Sequence, residues 1–295
     1  MSMVVLLVAR FCPSPSDPVR QVNKGLQLLE EGRIGWNDMF SCEGNSKAAS
    51  SAAVCFAHAS ELAPGASYPR FMQAFCYAIG GDVYAVRWVL KDVPMSDADP
   101  EVSALLGWSY EQSGLRQKAI ACYAEMLLAE PVALKSDFFA SIVRRDSTLS
   151  ASALKEALRL ASQRYADSDD PTEESKWAAL LFWSGDTDEA LPLLYQVRKR
   201  MPNYSRPHYY LGRLAEASGD TMVAMAEYRK AAVLGLSDSL PDIALSRLQP
   251  DRYMHRPTYG YMRSASYLRI AYQTDVWKGG LLQGIPFFKL EKIYD

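Results

Sequence analysis

The chain has 295 residues, of which 49% are apolar and 22% charged, with a formal net charge of −2. That balance excludes a disordered or fibrous polymer, and without a basic excess nucleic acid is not expected as the main partner. Five cysteines (Cys12, Cys42, Cys55, Cys76 and Cys122) make no CxxC pair and no even framework, so reduced, mostly buried thiols are expected.

Met3 to Ala9 is apolar but far too short to span a bilayer. Cys12, followed by Pro13-Ser14-Pro15-Ser16-Asp17-Pro18, resembles the tether of a bacterial lipoprotein, although Arg10 and Phe11 stand where that family has small residues. Residues 1–17 are therefore read as a flexible or tether-like lead, with the cytoplasm favoured over a bacterial cell envelope. The first predicted helix runs from Pro18 to Arg33, where Val19, Val22, Leu26 and Leu29 keep helical spacing and Gly32 ends it. Glycines and an asparagine make Ile34 to Ser46 a loop. Alanine-rich Ser46 to Leu62 is a second helix, and Tyr68 to Val93 a helix pair with Gly81 at its turn.

Pro100 to Pro131 is the clearest helix pair. Val132 to Asp170 keeps two helices, the second marked by Leu154, Leu158 and Ala161. The acidic run Asp167-Ser168-Asp169-Asp170 lacks the glycine and closing glutamate of a calcium loop, so it is expected to be a solvated connector. Two further pairs occupy Pro171 to Pro202 and Ser205 to Leu236, and Leu240 to Leu248 can form one more helix. From Tyr253 onward the chain is rich in tyrosine and arginine. Its large apolar side chains predict docking back on the last helix pair, the alternative being that they await a partner or a membrane surface with the tail arginines supplying charge.

Three stretches share one sparse pattern. Leu106-Gly107, Tyr110, Gly114, Ala119, Tyr123 and Pro131 form the first. Ala178, Leu181, Gly185, Ala190, Leu194, Val197 and Pro202 form the second. Leu211-Gly212, Ala215, Gly219, Ala224, Tyr228 and Ala231 form the third. Gly185 and Gly219 are 34 positions apart. This period and these offsets resemble the tetratricopeptide repeat. The resemblance implies an all-α, right-handed superhelical solenoid of about six antiparallel helix pairs over residues 18–236, with residues 237–295 as a C-terminal cap. Gly107, Ala178 and Gly212 would sit at helix crossings, Tyr110, Tyr123 and Tyr228 between adjacent pairs, and the loop glycines in left-handed turns.

The same resemblance implies a concave groove lined by first helices. It places Glu101, Ala104, Trp108 and Glu111 there from one repeat, Ser175, Ala179, Phe182 and Trp183 from the next, and Arg206, Tyr209, Arg213 and Glu216 from the last. Trp108, Glu111, Phe182, Trp183, Arg206, Tyr209 and Arg213 are the candidate partner-binding residues, being aromatic anchors with charges beside them. The competing reading has Trp108 and Trp183 packed between pairs. The carboxylate clamp some relatives use for chaperone C-termini is not expected, because Ala104, Leu105, Ser175 and Tyr210 occupy its positions and Lys176 and Arg206 alone cannot build it.

Signs of catalysis are lacking. His58, His208 and His255 have no metal-ligand spacing, His208 being read as a packed side chain, and no phosphate loop, dinucleotide turn or nucleophile elbow occurs. The expectation is a non-catalytic scaffold that binds a protein or peptide, without cofactor, metal, nucleic acid or integral membrane span. The alternative is a lipid-anchored periplasmic protein that takes a small apolar ligand or serves envelope transport or assembly.

Overall fold

A computed structural model describes residues 17–32, 34, 46–93, 100–235 and 240–249. Among them the chain forms thirteen α-helices, one 3-10 turn and no strand, so the fold is all-α. The expectations for the lead before Asp17, for Cys12 and Cys42, and for the tyrosine-rich tail fall outside the described residues. No helix among the described residues is long and apolar enough to cross a membrane. The chain divides into two compact units, with the break between Ala119 and Ile120.

The first unit contains α1 (Pro18–Glu31), α2 (Ser46–Leu62), α3 (Ser67–Ile79), α4 (Val83–Leu90), α5 (Pro100–Gln112) and the start of α6 (Arg116–Ala129). Asp17 starts α1 by accepting the Val19 N–H at 2.9 Å, with Pro18 pre-set for the first turn. Val19, Val22, Leu26 and Leu29 are buried as their spacing requires. Gly25 lets α2 come close, since a Cβ there would meet the Phe56 ring at 2.7 Å. Each of α1 to α4 packs against the helix that follows it. Between α3 and α4, Gly81 turns the chain at φ 75°, and Asp82 caps α4 through the Ala85 N–H at 2.9 Å.

The second unit contains the rest of α6, a 3-10 turn (Pro131–Lys135), α7 (Asp137–Arg145), α8 (Ser147–Asp167), α9 (Pro171–Ser184), α10 (Thr187–Arg200), α11 (Ser205–Ala217), α12 (Thr221–Leu234) and α13 (Leu240–Leu248). Again each helix from α7 to α12 packs on its successor. Ser136, Asp146, Asp170 and Asp220 cap α7, α8, α9 and α12 with their side-chain oxygens. Alanine makes the buried stripe of α8, at Ala153, Ala157 and Ala161, while Leu154 and Leu158 lie partly exposed at its edge. Leu240, Ala244 and Leu245 bury α13 against α12, so this helix covers the last pair.

Among the described residues four glycines have a left-handed backbone: Gly81, Gly114, Gly185 and Gly219. Each lies between the two helices of a predicted pair. Two expectations about the tyrosines change. Tyr228 is fully buried within its own pair, its ring lying against Gly212, rather than between adjacent pairs. Tyr110 is half-exposed and takes cations on its ring instead of filling the core. Ala178, expected at a crossing, is fully buried, as are the small repeat residues Ala119, Ala190 and Ala224 on the second helices. Cys55, Cys76 and Cys122 are buried, and burial pushes the Cys76 thiol well above its ordinary range.

Candidate functional site

The seven candidate binding residues separate into two sets by exposure. Trp108, Trp183 and Tyr209 are 2%, 5% and 1% exposed, so in this fold they support a surface and do not present one. Glu111, Phe182, Arg206 and Arg213 are half-buried, with part of each side chain open to solvent. Trp108 and Glu111 belong to the first unit and the other five to the second.

In the second unit the five residues form one layered patch on α9 and α11. Phe182 lies 4.9 Å from Trp183 in an edge contact and 5.0 Å from Tyr210, ring centre to ring centre. Tyr209 and Tyr210 meet edge to face at 5.5 Å, and Tyr209 approaches Tyr228 at 5.9 Å. Arg213 places its guanidinium 5.7 Å from the Trp183 ring and donates to the Tyr209 hydroxyl at 3.3 Å. The rings thereby fix the cation's direction. Arg206 reaches Glu130 at 3.8 Å, a loose ion pair between α11 and the end of α6. The patch combines a rigid aromatic floor with two guanidiniums and the edge of Phe182, a composition suited to gripping a peptide.

Tyr210 was not among the expected residues, yet it joins Phe182 to Trp183 and Tyr209. Full burial pushes its phenol well above the ordinary range, so it acts as a neutral aromatic. Its place beside Tyr209 in sequence was the available signal. Two ionic clusters were also missed. Glu174, fully buried on α9, accepts from Arg200 Nη1 at 3.0 Å, and Arg200 also binds the Asp169 carboxylate at 2.8 Å and the Asp169 carbonyl. Buried His208 on α11 pairs through Nδ1 with Glu227 at 2.6 Å, and Glu227 also accepts from Arg198 at 2.9 Å. These clusters tie α10 to α9 and to α12, and tie α11 to α12.

Among the described residues no three His, Cys, Asp or Glu side chains are grouped so as to hold a metal ion. No protein-family model matches the chain, and no curated protein matches it at a significant level.

Proposed function

We propose that this chain is a tetratricopeptide-like solenoid that serves as a non-catalytic scaffold and binds a protein or peptide partner on its first-helix face. The observation that carries the reading is the placement of the left-handed glycines. Gly81 and Gly114 are 33 positions apart and Gly185 and Gly219 34, with 71 positions, about two such periods, between Gly114 and Gly185, and each sits at the turn inside a helix pair. A stacked array of such pairs leaves a continuous face on its first helices. Within the second unit that face carries Phe182, Arg206 and Arg213 over the buried floor of Trp183, Tyr209 and Tyr210. Glu111 holds the equivalent half-exposed place in the first unit. Binding energy would come from the aromatic edge and the oriented Arg213, both of which lose little freedom on binding.

The test is affinity capture with the full chain from its native source, compared with the double variant Phe182→Ala/Arg213→Ala. Both side chains are partly exposed, so the variant keeps its helical dichroism. Loss of the captured partner is the expected result. Capture at the parental level by a folded variant would remove the binding face from α9 and α11.

A further inference from the structure

The first unit exposes the two most accessible large aromatic rings of α4, and they lie far from solvent-shy positions by any measure. Tyr84 is 76% exposed and Trp88 69% exposed, one helical turn apart. Burying them would remove from water a large apolar area that the fold leaves exposed. Cations interleave with them. Lys91 Nζ sits 3.7 Å from the centre of the Trp88 ring. The Arg87 guanidinium lies 4.8 Å from the Tyr84 ring and 5.5 Å from the Tyr110 ring, and Lys118 Nζ also lies 5.5 Å from the centre of the Tyr110 ring. The row runs from α4 over α5 to α6, entirely inside the first unit.

Those three cations are held by rings and neutral oxygens. Arg87 Nη1 donates to the Ser109 carbonyl at 3.0 Å and to the Ser113 hydroxyl at 2.6 Å. Among the described residues none of the three has a carboxylate within ion-pair distance, whereas Arg164, Lys176, Arg198, Arg200 and Arg247 all do. Asp82, the acidic group at the start of α4, is committed to capping it. The row is thus apolar and cationic, with no ion pair to its three cations among the described residues.

We propose that this α4–α6 row is a second docking surface, which binds an acidic segment of a partner protein. Its carboxylates meet Lys91, Arg87 and Lys118, and its apolar side chains cover Tyr84 and Trp88. Charge complementarity selects the occupant. Residues 250–295 of the chain itself carry seven Lys or Arg against four Asp or Glu, so they match the row in sign and are poor ligands for it. Fixed cations favour a peptide over a lipid surface, because headgroups are best met by long cationic side chains free to follow them, and Arg87 is pinned by two hydrogen bonds. This surface belongs to the first unit and the α9–α11 face to the second, and the proposal does not rest on that face.

The experiment uses the full chain and a fluorescein-labelled peptide of alternating Glu and Leu, with alternating Lys and Leu as the control, read by anisotropy. The acidic peptide should bind, the basic one should not, and affinity should fall as ionic strength rises from about 0.05 to about 0.3 M. Trp88→Ala and Lys91→Glu, both at exposed positions, should melt like the parent and each weaken binding about tenfold or more. Arg213→Ala should leave it unchanged. The proposal is overturned if the acidic peptide fails to bind, or if it binds the Trp88 and Lys91 variants as tightly as the parent. Loss of binding through Arg213→Ala alone would assign the peptide to the other face and sink it equally. Vesicles of phosphatidylcholine with phosphatidylglycerol captured in a Trp88-dependent way, without peptide binding, would replace it with a membrane surface. Trp88-dependent dimerisation in light scattering, again without peptide binding, would replace it with a second copy of the chain.

Discussion

Glu174 on α9 and His208 on α11 stand 34 positions apart, at equivalent places in successive helix pairs, and both are fully buried. Each is met by an ionic partner from a neighbouring second helix, Arg200 for Glu174 and Glu227 for His208. A position that could be filled by a large apolar side chain instead carries a polar group that fixes the register of the packed helices. Such a pair adds little net stability over an apolar filling, but removing one member leaves a buried charge or dipole exposed to the low-dielectric interior.

Glu174 gives a pH test. Burial holds its proton more tightly than an ordinary carboxylate does, and the Arg200 hydrogen bond opposes this without cancelling it. The folded state therefore binds this proton better than the unfolded chain, so the group favours folding at low pH and loses that contribution as pH rises through its folded value. Glu174→Gln removes the titration. The stability of the variant relative to the parent should rise as pH increases above the unfolded carboxylate value of about 4.3. Urea melts at several pH values measure it, and a flat or falling difference contradicts the stated environment of Glu174.

Two tryptophans should behave oppositely. Trp183 is 5% exposed among Phe182, Tyr210 and Arg213, so Trp183→Ala should cost about 3–5 kcal/mol through lost contact and a residual cavity. Trp88 is 69% exposed, and Trp88→Ala should change stability by no more than about 0.5 kcal/mol. Denaturant unfolding of the two variants decides it. Similar losses at both sites would mean that Trp88 is buried by something in solution.

Thiol chemistry reports on the same packing. Cys76 is buried on α3 with its thiol pushed far from thiolate formation, first by burial and then by nearby Cys55. Its alkylation by iodoacetamide should be slow in the native protein and accelerate in urea together with the loss of helical dichroism. Rapid native labelling, mapped to Cys76 by peptide mass, would show that α3 opens locally.

The helix order was legible because its signals are local. Prolines at Pro18, Pro100 and Pro171 start helices, aspartates cap them, and left-handed glycines mark the turns inside pairs. The exposure of the candidate residues was not legible. In α5 every residue from Pro100 to Ser109 is buried, so no amphipathic stripe separates an inner from an outer face. A tryptophan such as Trp108 then reads equally as anchor or core, and its burial is decided by neighbours distant in sequence. Tyr228 was misplaced for a similar reason, since spacing gives its direction along the helix but not which pair receives it. The α4 row did leave a trace, because Tyr84 and Trp88, like Arg87 and Lys91, are spaced by four residues and share a helical face.

Gly212 supplies the sharpest packing test. A Cβ built there would stand 2.6 Å from Tyr228 Cε1 and 2.7 Å from Cδ1, inside any tolerable contact. The ring cannot easily withdraw, because it is fully buried and its hydroxyl donates to Glu216 at 2.6 Å, while Glu216 is itself paired with Arg247 of α13. Gly212→Ala should therefore destabilise by roughly 1–3 kcal/mol, with Gly212→Leu worse. Gly219→Ala meets open space but has φ 86°, so its cost comes from the left-handed backbone alone, about 1–2 kcal/mol. At Gly65 no atom lies within 4 Å of the added Cβ and the backbone is ordinary, so Gly65→Ala should be nearly neutral. Chemical denaturation of the four variants tests the order. Gly212→Ala unfolding at the parental midpoint would mean that α11 and α12 do not cross at Gly212, and the register of the last helix pair would have to be redrawn.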